Sequence, residues 1–585
     1  MTQSGSQQIS SDDVFRRYIA SRVWVKSYDE GIPPDVEIRY FPLYEVLDTA
    51  VRSYPDRVAH IFVGNRISYS VLGDHSDRLA SAFREMGVGK GDVIALHMPN
   101  SPAYTVAFFA TLKVGAIVSP MNPLYTPREI SYQIKSSGAK ILVTSNVIYR
   151  NAEQALKEVS VDRVIVAGIE DYMSPLMRPL ARMKLKPPKI AYGSKILRYM
   201  DLVKRYKPTS YREKIDPLED MAALMYTGGT TGVPKGARIL HGNIVANIQQ
   251  IKPLYEVIRK KRGLEGPMVF IGILPWYHIY GLVTVMIYSI YDGGTVIVFP
   301  RPDIEGLMKA VDKYKAHVLH GVPTLYNAIN NHPKVKKYRL NTLLFCISGA
   351  APLPQEVARR FESTTGAVLR EGYGLTETAV VTHVNPLYGK SKLGSIGLPI
   401  PSTYAAIADL EKPILLPPGS VGEIVISGPQ VMKGYNIEEE NREAFFTAYG
   451  LRWFRTGDIG YMDEEGFFYV LDRKKDMIKY KGYSVYPREI EEVLMTHECV
   501  KEAAVVGIPD PSAGEIPKAF VVLRDQCRGK ISEGDILRWL EDKLAPYKRP
   551  KALEFREDLP KSPVGKILRR VLRDEELKKI SGKVG

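Results

Sequence analysis

Residues 226–236 read Tyr-Thr-Gly-Gly-Thr-Thr-Gly-Val-Pro-Lys-Gly and follow the apolar run 221–225. The apolar run is typical of a buried strand, so the eleven residues form the turn that leaves it. Glycines allow positive φ angles and close approach, which lets several backbone N–H groups converge on anionic oxygens. Three threonine hydroxyls and Lys235 add donors and positive charge. The stretch therefore predicts a phosphate-binding loop, although its glycine spacing differs from the GxxxxGK[ST] P-loop.

Further segments downstream carry residues suited to the same chemistry. They are 276–281 (WYHIYG), 348–352 (SGAAP), 371–378 (EGYGLTET), 456–458 (TGD), 472–475 (DRKK) and 560–566 (PKSPVGK). Together with 226–236, they resemble the ordered signatures of the acyl-adenylate-forming superfamily. That superfamily includes acyl-CoA synthetases, beetle luciferases and the adenylation domains of peptide synthetases. The resemblance covers roughly residues 40–575.

The resemblance implies a binding site for ATP and AMP. Tyr373 would offer a flat face to adenine, Asp458 would accept hydrogen bonds from the ribose hydroxyls, and Arg473 would donate to the ribose. The implied nucleotide-binding residues are Thr227, Gly228, Gly229, Thr230, Thr231, Gly232, Lys235, Gly349, Ala350, Ala351, Glu371, Gly372, Tyr373, Gly374, Thr376, Asp458, Arg473 and Lys566.

The same resemblance implies four catalytic residues: Lys566, Thr376, Glu377 and His278. Attack of a carboxylate on the α-phosphate brings anions together, so cations and fixed donors must offset their repulsion. Lys566 would supply the cation, and Thr376 would donate to the α-phosphate. Glu377 and Thr230 would hold Mg²⁺, a hard cation that prefers oxygen ligands. Taken singly, several of these residues also suit ordinary roles, such as a surface lysine, a helix-start carboxylate or a structural histidine.

A second step, thioester formation, is implied by the C-terminal motifs. Lys475 would be the hinge, and Lys479 and Gly482 would enter the site when the C-terminal domain rotates. Gly482 would leave room for the pantetheine arm of coenzyme A. His278, Gly281 and Gly321 would line the acyl pocket.

The hydrophobic patterning predicts an α/β fold with more than one domain. Helices are expected at Pro127–Ser137 and Pro487–Met495, among others, and β-α alternation implies helix-flanked parallel sheets. We predict a large N-terminal domain over 1–472, with a basic insertion at about 171–215 and a β-rich subdomain at about 400–472. Residues 473–585 are predicted to form a small, mobile α+β domain.

The protein has 585 residues and a net charge of +15. Residues 178–214 contain twelve Lys or Arg and two acidic residues, so they carry +10 of this charge. A solvated surface, anionic lipid headgroups or nucleic acid would each suit such a segment, but no nucleic-acid motif accompanies it. Part of the segment, 194–206, has the pattern of an amphipathic helix. The preferred interpretation is a solvated surface, with peripheral membrane contact as an alternative.

Three cysteines lie far apart, at Cys346, Cys499 and Cys527. Their spacing predicts neither a disulfide framework nor a zinc site. Together with the polar N-terminus, this favours a cytoplasmic location. The uncharged stretch 267–291 is interrupted by Gly272, Pro275 and Gly281, so a strand, a loop and a buried helix are favoured over a membrane span.

The resulting expectation is a ligase that uses ATP, Mg²⁺ and coenzyme A to activate a medium- or long-chain fatty acid. Only 19 residues follow Lys566, too few for a carrier domain, which favours free coenzyme A over a carrier protein. An aryl- or short-chain-acid CoA ligase, and an ATPase or kinase that releases ADP, remain alternatives. A basic binding protein with relic motifs is disfavoured because the charged and hydroxyl motif residues are present. A homodimer is left open.

Overall fold

The computed structural model describes residues 10–227, 234–481, 483–561 and 567–581. The described residues separate into two compact units. The larger unit contains Trp24–Tyr404 and Ser427–Phe445. The smaller unit contains residues 10–23, Ala405–Ile426 and the described residues from Phe446 onward.

The strands of the described residues are β1 (Val58–Phe62), β2 (Asn65–Ser68), β3 (Val93–His97), β4 (Ile117–Met121), β5 (Ala139–Ser145), β6 (Arg163–Ala167), β7 (Ile196–Arg198), β8 (Met221–Thr227), β9 (Lys235–Leu240), β10 (Val269–Gly272), β11 (Thr295–Val298), β12 (Val318–Gly321), β13 (Phe345–Ser348), β14 (Val368–Leu375), β15 (Val380–Val384), β16 (Leu398–Pro399), β17 (Tyr404–Ala408), β18 (Leu415–Leu416), β19 (Gly422–Ser427), β20 (Gly434–Tyr435), β21 (Phe445–Ala448), β22 (Leu451–Met462), β23 (Phe468–Arg473), β24 (Ile478–Tyr480), β25 (Tyr483–Val485), β26 (Val500–Asp510), β27 (Gly514–Leu523) and β28 (Ala552–Arg556).

The α-helices of the described residues are α1 (Ser11–Val14), α2 (Glu45–Ser53), α3 (Tyr69–Glu85), α4 (Pro102–Lys113), α5 (Pro127–Ser137), α6 (Tyr149–Ala155), α7 (Met177–Leu185), α8 (Tyr199–Arg205), α9 (His241–Arg262), α10 (Tyr288–Tyr291), α11 (Ile304–Tyr314), α12 (Pro323–Asn330), α13 (Gln355–Thr365), α14 (Glu438–Ala444), α15 (Pro487–Met495), α16 (Glu533–Trp539) and α17 (Arg569–Ser581). The helices predicted at Pro127–Ser137 and Pro487–Met495 are confirmed.

Two sheets form the framework of the larger unit. In its described residues, one sheet has the order β16-β15-β14-β13-β12-β10-β11-β1-β2, and the other has the order β20-β9-β8-β4-β3-β5-β6-β7. In the first sheet, strands β14, β13, β12, β10, β11 and β1 run parallel to one another. In the second sheet, strands β8, β4, β3, β5, β6 and β7 do the same. Parallel strands of one sheet place their carboxyl ends at a common edge, where α/β proteins bind ligands. The predicted α/β fold is confirmed.

Local sequence explains why several helices begin where they do. The hydroxyl of Ser101 accepts a hydrogen bond from the Tyr104 N–H at the start of α4, and Pro102 occupies the first turn. Thr126 and Glu129 form a reciprocal capping box at the start of α5. These side chains satisfy backbone N–H groups that the helix itself leaves without partners.

The smaller unit contains a sheet with the order β18-β17-β19-β22-β21, to which β23 adds through β22. A second sheet has the order β25-β24-β27-β26, with β28 parallel to β27. Residues of α15 and α16, such as Ile490, Leu494 and Ile536, pack against Val505 and Val521 of β26 and β27. Alternating apolar residues along the strands thus supply one core face for the helices.

The interpretation of 267–291 as strand, loop and buried helix is confirmed. β10 is followed by a π-helical segment at Gly281–Ile287 and then by α10. Within the described residues, no helix combines the length and the apolar character that crossing a bilayer requires. The helix predicted over 194–206 is only partly right, because its first residues form β7. There Ile196–Arg198 pair with β6, and the backbone pairing outweighs the helical pattern.

The cysteine prediction is wrong for one pair, because Cys499 and Cys527 are joined by a disulfide. Cys499 precedes β26 and Cys527 follows β27, and these strands form an antiparallel hairpin that pairs Val500 with Leu523. The hairpin therefore brings together two cysteines that are 28 residues apart in the chain. Cys346 is a buried free thiol.

Candidate active site

Several predicted motifs lie at the carboxyl edge of one sheet in the larger unit. The strands β10, β12, β13 and β14 are parallel neighbours. Residues 276–281 follow β10, Gly321 ends β12, and Gly349, Ala350 and Ala351 follow β13. Ala350 has a φ of 67°, which turns the chain sharply as it leaves the strand. The parallel topology therefore gathers segments that are up to about 100 residues apart in the chain.

Glu377 is the centre of a small polar cluster in the larger unit. The hydroxyl of Tyr435 donates a hydrogen bond of 2.8 Å to Oε1 of Glu377. Thr227, the last residue of β8, has its Oγ1 3.5 Å from the same oxygen. The N–H of Met432 donates to the backbone carbonyl of Glu377. The end of β8 and the 371–378 segment are therefore adjacent.

Lys235 begins β9 on the far side of the turn and is buried. Its ammonium forms an ion pair with Glu440 and lies 5.1 Å from the ring centroid of Tyr435. The neighbouring Gly236 N–H donates to Oδ1 of Asn436 at 2.8 Å. These contacts attach the start of β9 to the β20–α14 segment. Lys235 and Glu377 therefore share a neighbour, Tyr435.

His278 and Gly281 lie in the aromatic segment after β10. Nδ1 of half-buried His278 accepts a hydrogen bond from the Tyr280 N–H at 3.2 Å. A Cβ on Gly281 would lie 2.3 Å from the carbonyl oxygen of Pro275, so the turn accommodates glycine alone. The segment therefore has a tightly determined backbone and presents a histidine from it.

Tyr280 connects this aromatic segment to the neighbouring strands. Its hydroxyl donates to the Ile347 carbonyl at 3.0 Å, and its ring packs edge-on against His320. Burial lowers the pKa of His320 to about 3, so this histidine is neutral at physiological pH. The neutral His320 then forms a 2.7 Å hydrogen bond with the Tyr255 hydroxyl. The His320 ring is thus packed between Tyr280 and Tyr255, directly before Gly321 at the end of β12.

The 371–378 segment runs along β14 and leaves it at Thr376. Oε2 of Glu371 accepts a hydrogen bond from the Leu353 N–H at 3.0 Å, and the Tyr373 ring packs edge-on against His383. Gly372 pairs with Val384 across β14 and β15. A Cβ on Gly374 would lie 1.5 Å from the Val380 carbonyl oxygen, which excludes any other residue there. Thr376 begins the short turn that carries Glu377.

In the smaller unit, the predicted ribose ligands Asp458 and Arg473 face one another. They are backbone partners across β22 and β23, and Nε of Arg473 lies 2.6 Å from Oδ1 of Asp458. The side chain of Asp458 is 3% exposed, whereas that of Arg473 is 35% exposed. Gly457 is held by a hydrogen bond from its N–H to Oε1 of Glu423. A buried carboxylate and a partly exposed guanidinium are thus brought together although 15 residues separate them.

Lys475 is exposed just beyond β23. Lys479 lies in β24, where its N–H donates to Oε2 of Glu515 and its Nζ lies 3.4 Å from the Ser484 hydroxyl. Asp472 is nearly fully buried and accepts hydrogen bonds from the guanidinium of Arg569 and the N–H of Arg488. The segment on the N-terminal side of Lys475 is therefore held by charged contacts within its own unit.

Seven predicted site residues lie outside the described residues: Gly228, Gly229, Thr230, Thr231, Gly232, Gly482 and Lys566. Their predicted roles remain predictions.

Sequence reasoning missed Tyr435, Glu440 and Arg569. Tyr435 and Glu440 are 58 and 205 residues from the partners they contact. Arg569, three residues after Lys566, donates to both Glu491 and Asp472 and ties the start of α17 to the end of β23. The sequence offered two signals for these residues, an acidic run at 438–440 and an arginine close to a motif lysine. Neither signal indicates which distant side chain the residue contacts.

Comparison with known proteins finds relatives along nearly the whole chain. The chain is 40% identical over 565 residues to a long-chain-fatty-acid–CoA ligase of Bacillus subtilis, covering 95% of this chain and 98% of that one. It is 32% identical over 550 residues to a probable 4-coumarate–CoA ligase of Dictyostelium discoideum, covering 92% and 96%. The structure of ATP-bound MatB from Rhodopseudomonas palustris superposes with a TM-score of 0.77 at 29% identity, covering 91% and 98%.

Two family matches cover separate parts of the chain. Residues 489–566 match the C-terminal domain of AMP-binding enzymes. Residues 47–436 match the AMP-binding enzyme family, and these include the strands and turns that surround Glu377. This chain is therefore a member of the AMP-binding enzyme family.

Proposed function

We propose that this protein is an AMP-forming acyl-CoA synthetase that activates a medium- or long-chain fatty acid and transfers the acyl group to coenzyme A. The observation that carries the proposal is the meeting of the β8 end, the 371–378 segment and Tyr435 at one carboxylate, Glu377. Similarity over nearly the full chain to long-chain-fatty-acid–CoA ligases supports the choice of acid.

In the first step, a fatty acid carboxylate attacks the α-phosphate of ATP and pyrophosphate leaves. The turn at 226–236 would hold the phosphates, and Thr376 would donate to the α-phosphate. Tyr373 and the 348–352 segment would face adenine, while Asp458 and Arg473 would bind the ribose. Lys566 would offset the charge that develops between carboxylate and phosphate.

The donor set at Glu377 fits Mg²⁺. A hard cation bound to ATP takes most of its ligands from phosphates and water, so one carboxylate with nearby hydroxyls is sufficient. Glu377 would be the protein ligand, with Thr230 as a second. When bound, Mg²⁺ would neutralise phosphate charge. Among the described residues, no cluster of three or more His, Cys, Asp or Glu side chains is arranged to hold a metal by itself.

In the second step, the thiol of coenzyme A attacks the acyl-adenylate and AMP leaves. We propose that residues 473–585 act as a mobile domain that pivots at Lys475. Lys479 and Gly482 would then replace Lys566 beside the adenylate, and His278 would separate the acyl pocket, near Gly281 and Gly321, from the thiol channel. Such domain closure lets one active site serve two half-reactions.

An aryl or short-chain acid is the alternative substrate. The segment 479–483 (KYKGY) resembles that of aryl-CoA ligases, and one relative is a probable 4-coumarate–CoA ligase. An ATPase or kinase would release ADP in place of AMP. We also propose a cytoplasmic location, although the Cys499–Cys527 disulfide removes the cysteine spacing as an argument for it. The proposed acceptor is free coenzyme A rather than a carrier protein. A homodimer and peripheral membrane contact through the basic segment at about 171–215 are further parts of the proposal.

The function is tested by AMP release with a panel of acids from acetate to palmitate, together with benzoate and coumarate, in the presence of coenzyme A. Highest turnover is expected between octanoate and palmitate. A preference for acetate or aryl acids would reject the fatty-acid assignment, and ADP as product would reject the reaction class. Lys566→Ala is expected to slow adenylate formation by about 10²–10³-fold while sparing thioester formation from preformed acyl-AMP.

A further inference from the structure

The helix α7 is attached to the larger unit in an unusual orientation. A surface helix ordinarily turns its apolar stripe toward the core and its charges toward water. In α7, no residue is buried. Leu176, Leu180 and Met183 are 86%, 54% and 70% exposed. Their spacing of four and three residues places them on one face of the helix, so an apolar stripe faces outward.

Two arginines hold the opposite side of α7 to the protein. Nε of Arg182 lies 2.7 Å from Oε1 of Glu170, whose side chain is 5% exposed. Nε of Arg178 donates to the Met173 carbonyl at 3.0 Å, and its Nη2 donates to the Asp171 carbonyl at 3.2 Å. Because these bonds anchor the polar side, the outward direction of the apolar stripe is determined by specific contacts.

Glu170 is a suitable anchor at physiological pH. Burial alone would raise the pKa of its carboxyl, but hydrogen bonds from Arg182 and Asn146 outweigh burial and lower the pKa below its ordinary value. Asp171 is half-buried, and its Oδ2 accepts a hydrogen bond from the Gly168 N–H at 2.8 Å. Both carboxylates are therefore already engaged by hydrogen-bond donors of the larger unit.

The chain segment that carries the stripe is basic. Residues 172–200 contain seven Lys or Arg and no Asp or Glu. Lys184, Lys186 and Lys189 are exposed around the C-terminal end of α7. Long basic side chains beside an exposed Leu and Met stripe are the composition of a helix that lies in a membrane interface.

We propose that α7 and the basic residues that follow it, through Lys189, are a docking surface for an anionic phospholipid bilayer. The stripe would enter the boundary between headgroups and acyl chains, and the lysines would contact lipid phosphates. A second copy of the chain fits this face poorly, because pairing it with itself would bring the same basic side chains together. A nine-residue helix also offers far less area than a stable protein interface requires.

The inference deepens the proposed function and rests on it in one respect. Fatty acids partition into bilayers, so an enzyme that activates them would meet its substrate at a membrane. Its physical test is independent of catalysis. The full-length protein is sedimented with two kinds of vesicle. One is phosphatidylcholine alone, and the other is phosphatidylcholine with about 30% phosphatidylglycerol, which gives the membrane a negative surface potential.

The wild type is expected to bind the anionic vesicles at least tenfold more strongly than the neutral ones. The uncharged double variant Leu180→Ser with Met183→Ser should lose about tenfold in binding. The matched control is Leu218→Ser with Leu393→Ser, two exposed leucines elsewhere in the larger unit, which should bind like the wild type. The triple variant Lys184→Glu, Lys186→Glu and Lys189→Glu should lose more than tenfold, since each basic side chain near the surface contributes about fivefold.

The proposal would be overturned if the stripe variant and the lysine variant both bound anionic vesicles as strongly as the wild type. It would also be overturned if the control variant lost as much vesicle binding as the stripe variant. A wild-type dimer that the stripe variant dissociates, without vesicle binding, would also overturn it and assign this face to a second copy. Circular dichroism confirms that each variant is folded. AMP release with octanoate, measured without vesicles, should be unchanged in the stripe variant. Vesicle binding without AMP release from any fatty acid would leave docking intact and reject the proposed function.

Discussion

The hydroxyl of Tyr435 lies 2.8 Å from Oε1 of Glu377 and donates a hydrogen bond to it. This bond joins β20 to the turn after β14 and orients the carboxylate that we propose as a ligand of Mg²⁺. A carboxylate that a hydroxyl donor already holds in place loses little further freedom when a ligand binds. The entropic cost of ligand binding is therefore smaller.

Tyr435→Phe should slow adenylate formation by about 10- to 100-fold, because a hydrogen bond to a charged group contributes about 1.5–3 kcal/mol. The measurement is fatty-acid-dependent pyrophosphate exchange at several Mg²⁺ concentrations. The control is Tyr206→Phe, which removes a Tyr hydroxyl that also lies 2.8 Å from a glutamate, Glu85, in an exposed setting. An unchanged exchange rate in Tyr435→Phe would show that Glu377 needs no orientation.

Asp458→Asn should raise the KM for ATP by about 10-fold or more, since the variant loses a charged acceptor for the ribose hydroxyls and its 2.6 Å pair with Arg473. The KM for the fatty acid should change little. Asp74→Asn is the matched control, because Asp74 forms a 2.6 Å pair with Arg78 on the surface. If both KM values rose equally, the loss would be one of folding and not of nucleotide binding.

Gly281→Ala should disrupt the aromatic segment, because the added Cβ would lie 2.3 Å from the Pro275 carbonyl oxygen. We expect a loss of about 1–3 kcal/mol in unfolding free energy, together with altered acid preference in the turnover panel. Gly89→Ala is the control, since nothing lies within 4 Å of a Cβ there and its φ is not left-handed. Wild-type stability and wild-type acid preference in Gly281→Ala would contradict the assignment of this turn to the acyl pocket.

Lys113→Met should cost about 3 kcal/mol of unfolding free energy at pH 7, because the ammonium is fully buried between Asp48 and Asp77. Lys315→Met, at a half-exposed pair with Asp312, should change stability by less than about 0.5 kcal/mol. Denaturant titration measures both. A loss as small in Lys113→Met as in the control would mean that the buried pair contributes nothing.

Stability should also depend on pH through Asp48. Burial raises the pKa of this carboxyl, but Arg212 and Lys113 outweigh burial and hold the pKa below its ordinary value of 3.8. A lowered folded-state pKa contributes stability that is present above the unfolded-state pKa and is lost as pH falls through the folded-state value. Denaturant titration between pH 3 and pH 7 should therefore show that the unfolding free energy of the wild type falls as the pH is lowered. The fall should be smaller in Asp48→Asn.

Cys527→Ser should lower the unfolding free energy of oxidised protein by about 3.5 kcal/mol, the value expected for a disulfide that closes a loop of 28 residues. The hairpin of β26 and β27 should still form. Reduced wild-type protein is the control and should match the variant. Thiol titration of oxidised, denatured wild type should find one free thiol, Cys346. Three free thiols would exclude the disulfide.

Local sequence patterns determined much of this protein. Alternation of helix-patterned and strand-patterned segments predicts the α/β fold. The helix predicted at Pro127–Ser137 is right to the residue, because its capping threonine and its proline act within one turn. The motifs at 276–281, 348–352 and 371–378 are identified by their resemblance to family signatures, and the structure shows that close backbone packing restricts the residue types at two of their glycines. At Gly281 and Gly374, a single added carbon would collide with a carbonyl oxygen.

Only the tertiary structure decided which distant side chains meet. The pairs Tyr435–Glu377, Lys235–Glu440 and Cys499–Cys527 depend on strand order and register, which no local pattern specifies. Likewise, the sequence identified 178–214 as basic, whereas the outward direction of Leu180 and Met183 follows from Arg182 binding Glu170. Composition reports what a segment prefers to contact, and the rest of the fold determines which of those contacts remains within reach.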